Sequence, residues 1–178
     1  MTAAGRLRRI HGHVLLALLG LVLAQATLAT NLVGSLLVAA GLALRVWAAG
    51  SLEKGGPLCT DGPYRHVRHP LYLGSLLAAM GFCVMMNVVW GWVVVLPLFL
   101  VLYAGQVVVE EQVLRREYGA AHSDYASRVP LLVPRLGPAP LGDARPWTWE
   151  RVSVNREQYH VVITLLLLAG FYVRAALR

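Results

Sequence analysis

The chain has 178 residues, of which 57% are hydrophobic and only 14% charged, with a mean hydropathy of +0.59. Ordinary soluble domains are about 45–50% apolar and about 25% charged, and a chain this short has too little interior to bury so much apolar sequence. The composition excludes disordered, collagen-like and coiled-coil proteins and predicts an integral membrane protein. The net charge of +7 comes almost entirely from arginines beside apolar runs, which favours contact with a membrane surface over nucleic acid.

Five apolar runs are separated by polar segments. A run of about 17–25 such residues can cross a bilayer as a helix. The runs are Val14 to Thr30, Leu32 to Gly50, Pro70 to Met86, Val88 to Val109 and Val161 to Ala176. Asn31 is predicted to break the first pair and Asn87 the second pair, and the last run is the shortest. We therefore expect an all-α, polytopic membrane bundle of about five transmembrane helices.

The basic residues predict the orientation of this bundle. Thirteen of the sixteen lie before the first run, between the second and third, or between the fourth and fifth. Cytoplasmic loops are enriched in Lys and Arg, so we expect the N-terminus and these segments in the cytoplasm. Residues 1–30 have the basic start of a signal peptide but no small-residue cleavage site, so we expect a retained span. For Arg45, near the end of the second run, we expect a side chain that reaches the headgroups, with a functional charge as the alternative.

The polar segment before the third run has the features of a helix N-terminus. His69 precedes a proline and is restricted to extended conformations, whereas Pro70 suits the first helical position. The first turn would then present free N–H groups and the positive end of the helix dipole. A small anionic group could bind there, and Gly74 would let it approach the backbone closely.

The helix that contains the fourth run is predicted to leave the membrane and to end at Tyr118, because Gly119 is a typical terminator. Glu110 and Glu111 directly follow the apolar run, a costly position for unpaired charges. Glu111 could instead form a surface ion pair with Arg115, four residues later. The aromatic residues that follow suit either interfacial anchoring or a substrate pocket.

Motifs for metals and disulfides are weak. His66 and His69 form an HxxH pair without acidic company, which is a poor zinc site, and we predict no metal. Cys59 and Cys83 lie in different kinds of segment, and no CxxC motif exists.

Several short motifs follow one another at membrane-flanking positions. They are Gly62-Pro-Tyr, Arg68-His-Pro-x-Tyr72-x-Gly74, Glu110-Glu111-x-x-Leu114, Tyr118-Gly119 and Tyr125-x-x-Arg128-Val-Pro130. Their order resembles the isoprenylcysteine carboxyl methyltransferase family, and related phospholipid N-methyltransferases share parts of it. The resemblance covers about Gly62 to Pro134. Together with the chain length and the apolar runs, it leads us to expect one domain over residues 1–178, with a helical hairpin at 14–50, a catalytic core at 51–134 and a C-terminal loop and helix at 135–178.

The resemblance also implies a cofactor, S-adenosylmethionine, and a set of site residues at the cytoplasmic membrane face. The implied cofactor-binding residues are Tyr64, His66, Arg68, His69, Tyr72, Gly74, Glu110 and Glu111. The implied catalytic residues are Glu110, Tyr125 and Arg128. A carboxylate acceptor is already ionised and needs a cation to hold it, for which the planar guanidinium of Arg128 is suited. An amine acceptor would instead need a glutamate as base.

The expected partners are a lipophilic or prenylated acceptor that enters from the bilayer and membrane lipid, without nucleic acid or metal. We favour carboxyl O-methylation, with phospholipid N-methylation as an alternative. Sterol reductases, which use NADPH, share an RHPxYxG-like stretch and form a second alternative. They usually lack adjacent glutamates such as Glu110 and Glu111, so methyl transfer is favoured. A transporter or scaffold is less favoured because the predicted spans contain few polar residues.

Overall fold

The computed structural model describes residues 20–139 and 146–177. Residues 20–23 are helical, and five further helices follow: α1 (Leu28–Ser51), α2 (Pro70–Met86), α3 (Leu96–Arg128), α4 (Trp149–Val154) and α5 (Glu157–Ala176). A 3₁₀ turn (Gly62–Arg65) precedes α2, and a π-helical turn (Gly91–Val95) leads into α3. Within these two described ranges there is no β-strand, and the predicted helical membrane bundle is confirmed.

Three helices in the described part are long and apolar enough to cross a membrane. They are Leu28–Ser51, Gly91–Arg128 and Glu157–Ala176, and Pro70–Met86 is a shorter apolar helix. Helix α5 begins four residues before the predicted run, and its 20 residues span about 30 Å, the thickness of the hydrocarbon core. The first predicted run starts at Val14, and residues 14–19 lie outside the described residues. The count of five spans therefore stays a prediction.

The predicted break at Asn31 is wrong. The chain is non-helical at residues 24–27, and α1 begins at Leu28. Thr27 caps the helix: its hydroxyl accepts a hydrogen bond from the Thr30 N–H, and the Thr30 hydroxyl accepts one from the Thr27 N–H. Asn31 lies inside the first turns of α1, fully buried, and donates its side-chain amide to the Phe171 carbonyl at 2.9 Å. Its polar group ties α1 to α5.

Helices α1 and α2 pack against each other antiparallel through four glycines. A Cβ on Gly74 would lie 2.7 Å from the Gly41 carbonyl oxygen, and a Cβ on Gly81 would lie 2.6 Å from that of Gly34. Both pairs are seven residues apart along each helix, so they fall on one face. Small residues at such crossings let helix backbones approach closely, a common basis of helix association in membranes.

Local signals place the ends of α2 and the break in α3. Pro70 occupies the first turn of α2, and Asn87 ends it in the left-handed conformation with φ 51°. Gly119 has φ 50° and ψ −118°, which breaks α3 where predicted. The backbone returns to helical geometry directly after Gly119, however, and α3 ends at Arg128 rather than at Tyr118.

The segment after α3 returns along the loop that precedes α2. The Arg68 N–H donates to the Pro130 carbonyl at 2.9 Å, and the Arg135 N–H donates to the His66 carbonyl at 3.0 Å. The Tyr125 hydroxyl donates to the Tyr64 carbonyl at 2.8 Å. The loop with the GPYRHVRHP sequence is therefore held in place against the end of α3.

Candidate active site

Glu111 on α3 binds two residues at the start of α2. Its carboxylate accepts a hydrogen bond from the Arg68 guanidinium and lies 2.7 Å from His69 Nε2 through its other oxygen. His69 is buried, and the Arg68 and Glu111 side chains are mostly buried. Charge-assisted bonds of this kind are about twice as strong as neutral ones. Glu111 therefore makes this contact between two helices in place of the alternative considered above, a surface ion pair with Arg115.

The neighbouring Glu110 makes a second link between the same helices. The Tyr72 hydroxyl donates to the Glu110 carboxylate at 2.7 Å. The Tyr72 ring meets Tyr103 edge-on, with ring centroids 5.3 Å apart, and Tyr103 stacks on Phe99 at 4.0 Å. Adjacent glutamates thus face different partners, and Tyr72 connects Glu110 to aromatic residues deeper in the bundle.

A polar pocket of about 450 Å³ opens beside Glu111. Its lining residues are Arg68, Glu111, Gln112, Arg115, His122, Ser123, Ala126 and Ser127. Two buried atoms at this pocket have no hydrogen-bond partner, namely Arg68 Nε and His122 Nε2. His122 Nε2 is 3.7 Å from a Glu111 oxygen, too far for a hydrogen bond. Buried polar groups are nearly always bonded, so an ordered water or a polar ligand is expected to complete the bonding of these two atoms.

His122 is a site residue that was not predicted from the sequence. Eleven residues of straight helix would separate it from Glu111 by about 16 Å. The break at Gly119 folds the end of α3 back and brings the two side chains together. Gly119 was the only local signal of this arrangement.

Gly119→Ala is expected to weaken binding of a ligand in the polar pocket by roughly tenfold. Space is not the obstacle, because no atom lies within 4 Å of the added Cβ. The backbone at φ 50° and ψ −118° suits only glycine, so alanine costs about 1–3 kcal/mol or straightens the helix and withdraws His122. Titration of the variant with S-adenosylhomocysteine measures the effect, and Gly105→Ala, in a regular and open part of α3, is the control.

The expectation that the Arg45 side chain extends to the headgroups is wrong. Its guanidinium forms a two-pronged ion pair with Glu157 on α5, with N–O distances of 2.5 and 2.8 Å. A third nitrogen donates to Ser75 Oγ at 2.5 Å and to the Leu71 carbonyl at 3.1 Å. The side chains of Arg45 and Glu157 are 13% and 3% exposed. The alternative, a functional charge within the membrane, is therefore supported by the charged partner Glu157.

This ion pair lies at the edge of a second, mainly apolar cavity of about 210 Å³. Polar side chains at the cavity are Arg45, Ser75, Tyr103, His160 and Thr164. Its apolar walls include Leu42, Phe82, Val95, Phe99, Leu167 and Phe171, from all four long helices and the π-helical turn. Tyr103 belongs to this cavity and touches Tyr72, which binds Glu110. The Tyr72 ring thus lies between Tyr103, in the wall of the apolar cavity, and Glu110.

Other residues named from the sequence serve the loop before α2. Tyr64 is buried, its carbonyl accepts from Tyr125, and burial raises the pKa of its own hydroxyl well above the ordinary value. His66 Nδ1 lies 3.1 Å from the Arg135 carbonyl oxygen. Tyr125 is 3% exposed, so its hydroxyl fastens the loop.

Gly74 and Arg128 lie in different surroundings. Gly74 faces Gly41 and Arg45 at the α1–α2 crossing, and this packing accounts for its lack of a side chain. Arg128 binds Asp124 at 2.7 Å, and its side chain is 45% exposed. The structure thus brings together Arg68, His69, Tyr72, Glu110 and Glu111, and the functional roles implied for these and for the other site residues stay predictions.

Metal ligation has no support in the part of the chain that the structure describes. No group of three or more His, Cys, Asp or Glu residues there could hold an ion. Cys59 and Cys83 are buried thiols, and neither forms a disulfide bond.

The fold and the site define a polytopic helical membrane protein with a polar pocket at one end of the bundle. The sequence matches the phospholipid methyltransferase family over residues 19–121, more than half of the chain. The chain belongs to this family of membrane methyltransferases, which confirms the predicted membership of the wider group.

Two curated relatives share part of the sequence. The chain is 31% identical over 106 residues to the nickel-cobalt-cadmium resistance protein NccN of Alcaligenes xylosoxydans xylosoxydans, covering 58% of this chain and 49% of that protein. It is 32% identical over 94 residues to the cobalt-zinc-cadmium resistance protein CzcN of Cupriavidus metallidurans, covering 52% and 43%. The chain thus spans about half the length of the curated relatives it matches. No solved structure matches significantly.

Proposed function

We propose that this chain transfers the methyl group of S-adenosylmethionine to a lipophilic acceptor that reaches the site from the bilayer. Family membership supports methyl transfer. The observation that carries the assignment of the site is the Arg68–Glu111–His69 cluster beside a pocket lined by His122, whose buried Nε2 makes no hydrogen bond. We place the cofactor in this polar pocket.

The residues of the pocket fit the cofactor by charge. Arg68 and Arg115 suit its carboxylate, because guanidinium groups bind carboxylates in a planar, two-pronged manner. Glu111 suits its ammonium or ribose hydroxyl groups, and His122 supplies an unused ring nitrogen. A pocket of about 450 Å³ lies in the range of small-molecule sites, about 300–1,000 Å³.

The chain's own contribution is to position two reactants. When bound, the cofactor supplies an electrophilic methyl group on a positively charged sulfur. An acceptor oxygen would form its new bond to this carbon as the carbon–sulfur bond breaks, and the electron pair of that bond would stay on sulfur. No proton moves if the acceptor is a carboxylate. Orientation by the chain supplies much of the rate enhancement in such a displacement.

The apolar cavity is the proposed site of the acceptor's hydrocarbon part. It lies among the membrane-spanning helices, and Tyr72 separates its Tyr103 end from Glu110. Apolar cavities of about 150 Å³ bind molecules the size of benzene, so about 210 Å³ accommodates part of a hydrocarbon chain. The arginine distribution supports the further proposal that the polar pocket faces the cytoplasm.

Methyl transfer with a radiolabelled donor tests the reaction and the acceptor class together. Purified protein in lipid nanodiscs would receive S-adenosylmethionine labelled in the methyl group, with farnesyl-cysteine or phosphatidylethanolamine as acceptor. We expect label in the farnesyl-cysteine product, released as methanol by alkali because methyl esters hydrolyse. Alkali-stable label in the phospholipid would instead favour N-methylation, and no transfer to any lipid would contradict the proposed function. Protein with Glu111→Gln is the matched negative control.

A further inference from the structure

Arg45 is a buried cation at the polar edge of an apolar cavity. Its side chain is 13% exposed and lines the cavity together with Ser75, Tyr103 and His160. Ionisable residues within membrane-spanning helices are costly and usually mark a functional site. A buried ion pair is by itself weak evidence for a stabilising role, because apolar residues of similar volume often give equal or greater stability.

A carboxylate acceptor needs a cation near the apolar cavity, and Arg128 does not meet this requirement in the structure. Arg128 is 45% exposed, pairs with Asp124 one helical turn away, and is absent from the lining of both cavities. Arg45 lines the apolar cavity and holds a carboxylate already, that of Glu157, with two parallel N–H···O bonds. This is the geometry in which a guanidinium binds a carboxylate ligand.

We propose that Arg45 binds the carboxylate head of an amphiphilic acceptor, and that Glu157 is a resident counter-ion with which this head exchanges. The identity of the ligand as the methyl acceptor rests on the proposed function. Glu157 is the first residue of α5. A displaced carboxylate there stays beside the free N–H groups and the positive end of the helix dipole.

The position of Arg45 also places the head group at the turn of α2 that carries Tyr72. Arg45 donates to the Leu71 carbonyl and to Ser75 Oγ, on either side of Tyr72 in the first turns of α2. Tyr72 in turn donates to Glu110. A carboxylate on Arg45 therefore lies at the α2 turn that contacts α3, with its hydrocarbon chain among Phe82, Phe99 and Phe171.

Binding of a fluorescent fatty acid tests this proposal without cofactor or turnover. The probe is cis-parinaric acid, whose fluorescence rises in apolar surroundings, and the corresponding alcohol is the matched uncharged ligand. The full-length protein in detergent is compared with Glu157→Gln and with the double variant Arg45→Gln/Glu157→Gln. Glu117→Gln, which removes an exposed glutamate on α3 and raises the net charge by one as Glu157→Gln does, controls for net charge.

We expect the wild-type protein to prefer the acid over the alcohol, and Glu157→Gln to bind the acid about tenfold more tightly with no change for the alcohol. The double variant should lose the preference. If Glu157→Gln alone does not fold, the double variant still decides, because it leaves no unpaired charge. An unchanged acid preference in the double variant overturns the proposal, as does an acid preference lost on Arg128→Gln instead.

The outcome separates this inference from the proposed function. Binding through Arg45 without methyl transfer would contradict the function and leave the carboxylate site standing. Methyl transfer by a protein in which Arg45 plays no part in acid binding would support the proposed function and contradict the carboxylate site at Arg45.

Discussion

Replacing Glu111 with glutamine is expected to weaken binding of S-adenosylhomocysteine by about 100-fold, close to 3 kcal/mol. Glutamine keeps the shape of the side chain but removes the charge that holds Arg68 and His69. Hydrogen bonds to charged groups contribute roughly 1.5–3 kcal/mol each, and the freed guanidinium would also turn away from its place in the pocket. Isothermal titration of the detergent-purified variant measures the change.

Glu117→Gln is the matched control for this prediction, because Glu117 lies on the same helix and is exposed. Circular dichroism and gel filtration check that both variants are folded. Binding by Glu111→Gln within about threefold of wild type would remove Glu111 from the cofactor site and place the ligand elsewhere.

The second large effect is expected at the crossing of α1 and α2. Gly81→Ala should lower stability by about 1–3 kcal/mol, because its Cβ would lie 2.6 Å from the Gly34 carbonyl oxygen and 2.8 Å from a Val38 methyl group. Neither helix backbone can yield without separating the pair. For a chain of this length the loss corresponds to an apparent Tm lower by roughly 2–12 °C, at 2–4 °C per kcal/mol.

Gly105→Ala distinguishes this effect from helix propensity. Gly105 lies in α3 with no atom within 4 Å of an added Cβ. Alanine there gains up to about 1 kcal/mol of helix propensity, so its Tm should equal or exceed that of wild type. Equal melting of the two variants, measured by thermal denaturation in one detergent, would show that the glycine crossing is not tightly packed.

The sequence predicted those parts of the fold that depend on single residues. Pro70 starts α2 and Asn87 ends it because both have restricted or unusual backbone preferences. Gly119 breaks α3 for the same reason. The break was predicted at Asn31 because asparagine is common at helix ends. The Thr27–Thr30 pair, which caps α1, is a weaker sequence pattern.

Contacts between distant segments were beyond the sequence alone. Arg45 and Glu157 are 112 residues apart, and nothing in either local pattern indicates the other. The link of Arg68 and His69 to Glu111 followed from the family resemblance, which grouped these residues without giving their bonds. His122 approaches Glu111 only because the backbone of Gly119 reverses the helix. Each of these contacts depends on how helices pack.

The central claim is that the polar pocket binds the methyl donor, and thermal melting with S-adenosylhomocysteine tests it most directly. A ligand that binds only the folded protein stabilises it by about 2.7 kcal/mol at a concentration 100 times its Kd. We predict a Tm that rises with S-adenosylhomocysteine concentration in the wild-type protein, a much smaller rise in Glu111→Gln, and no rise with NADPH. A rise with NADPH and none with S-adenosylhomocysteine would contradict the account.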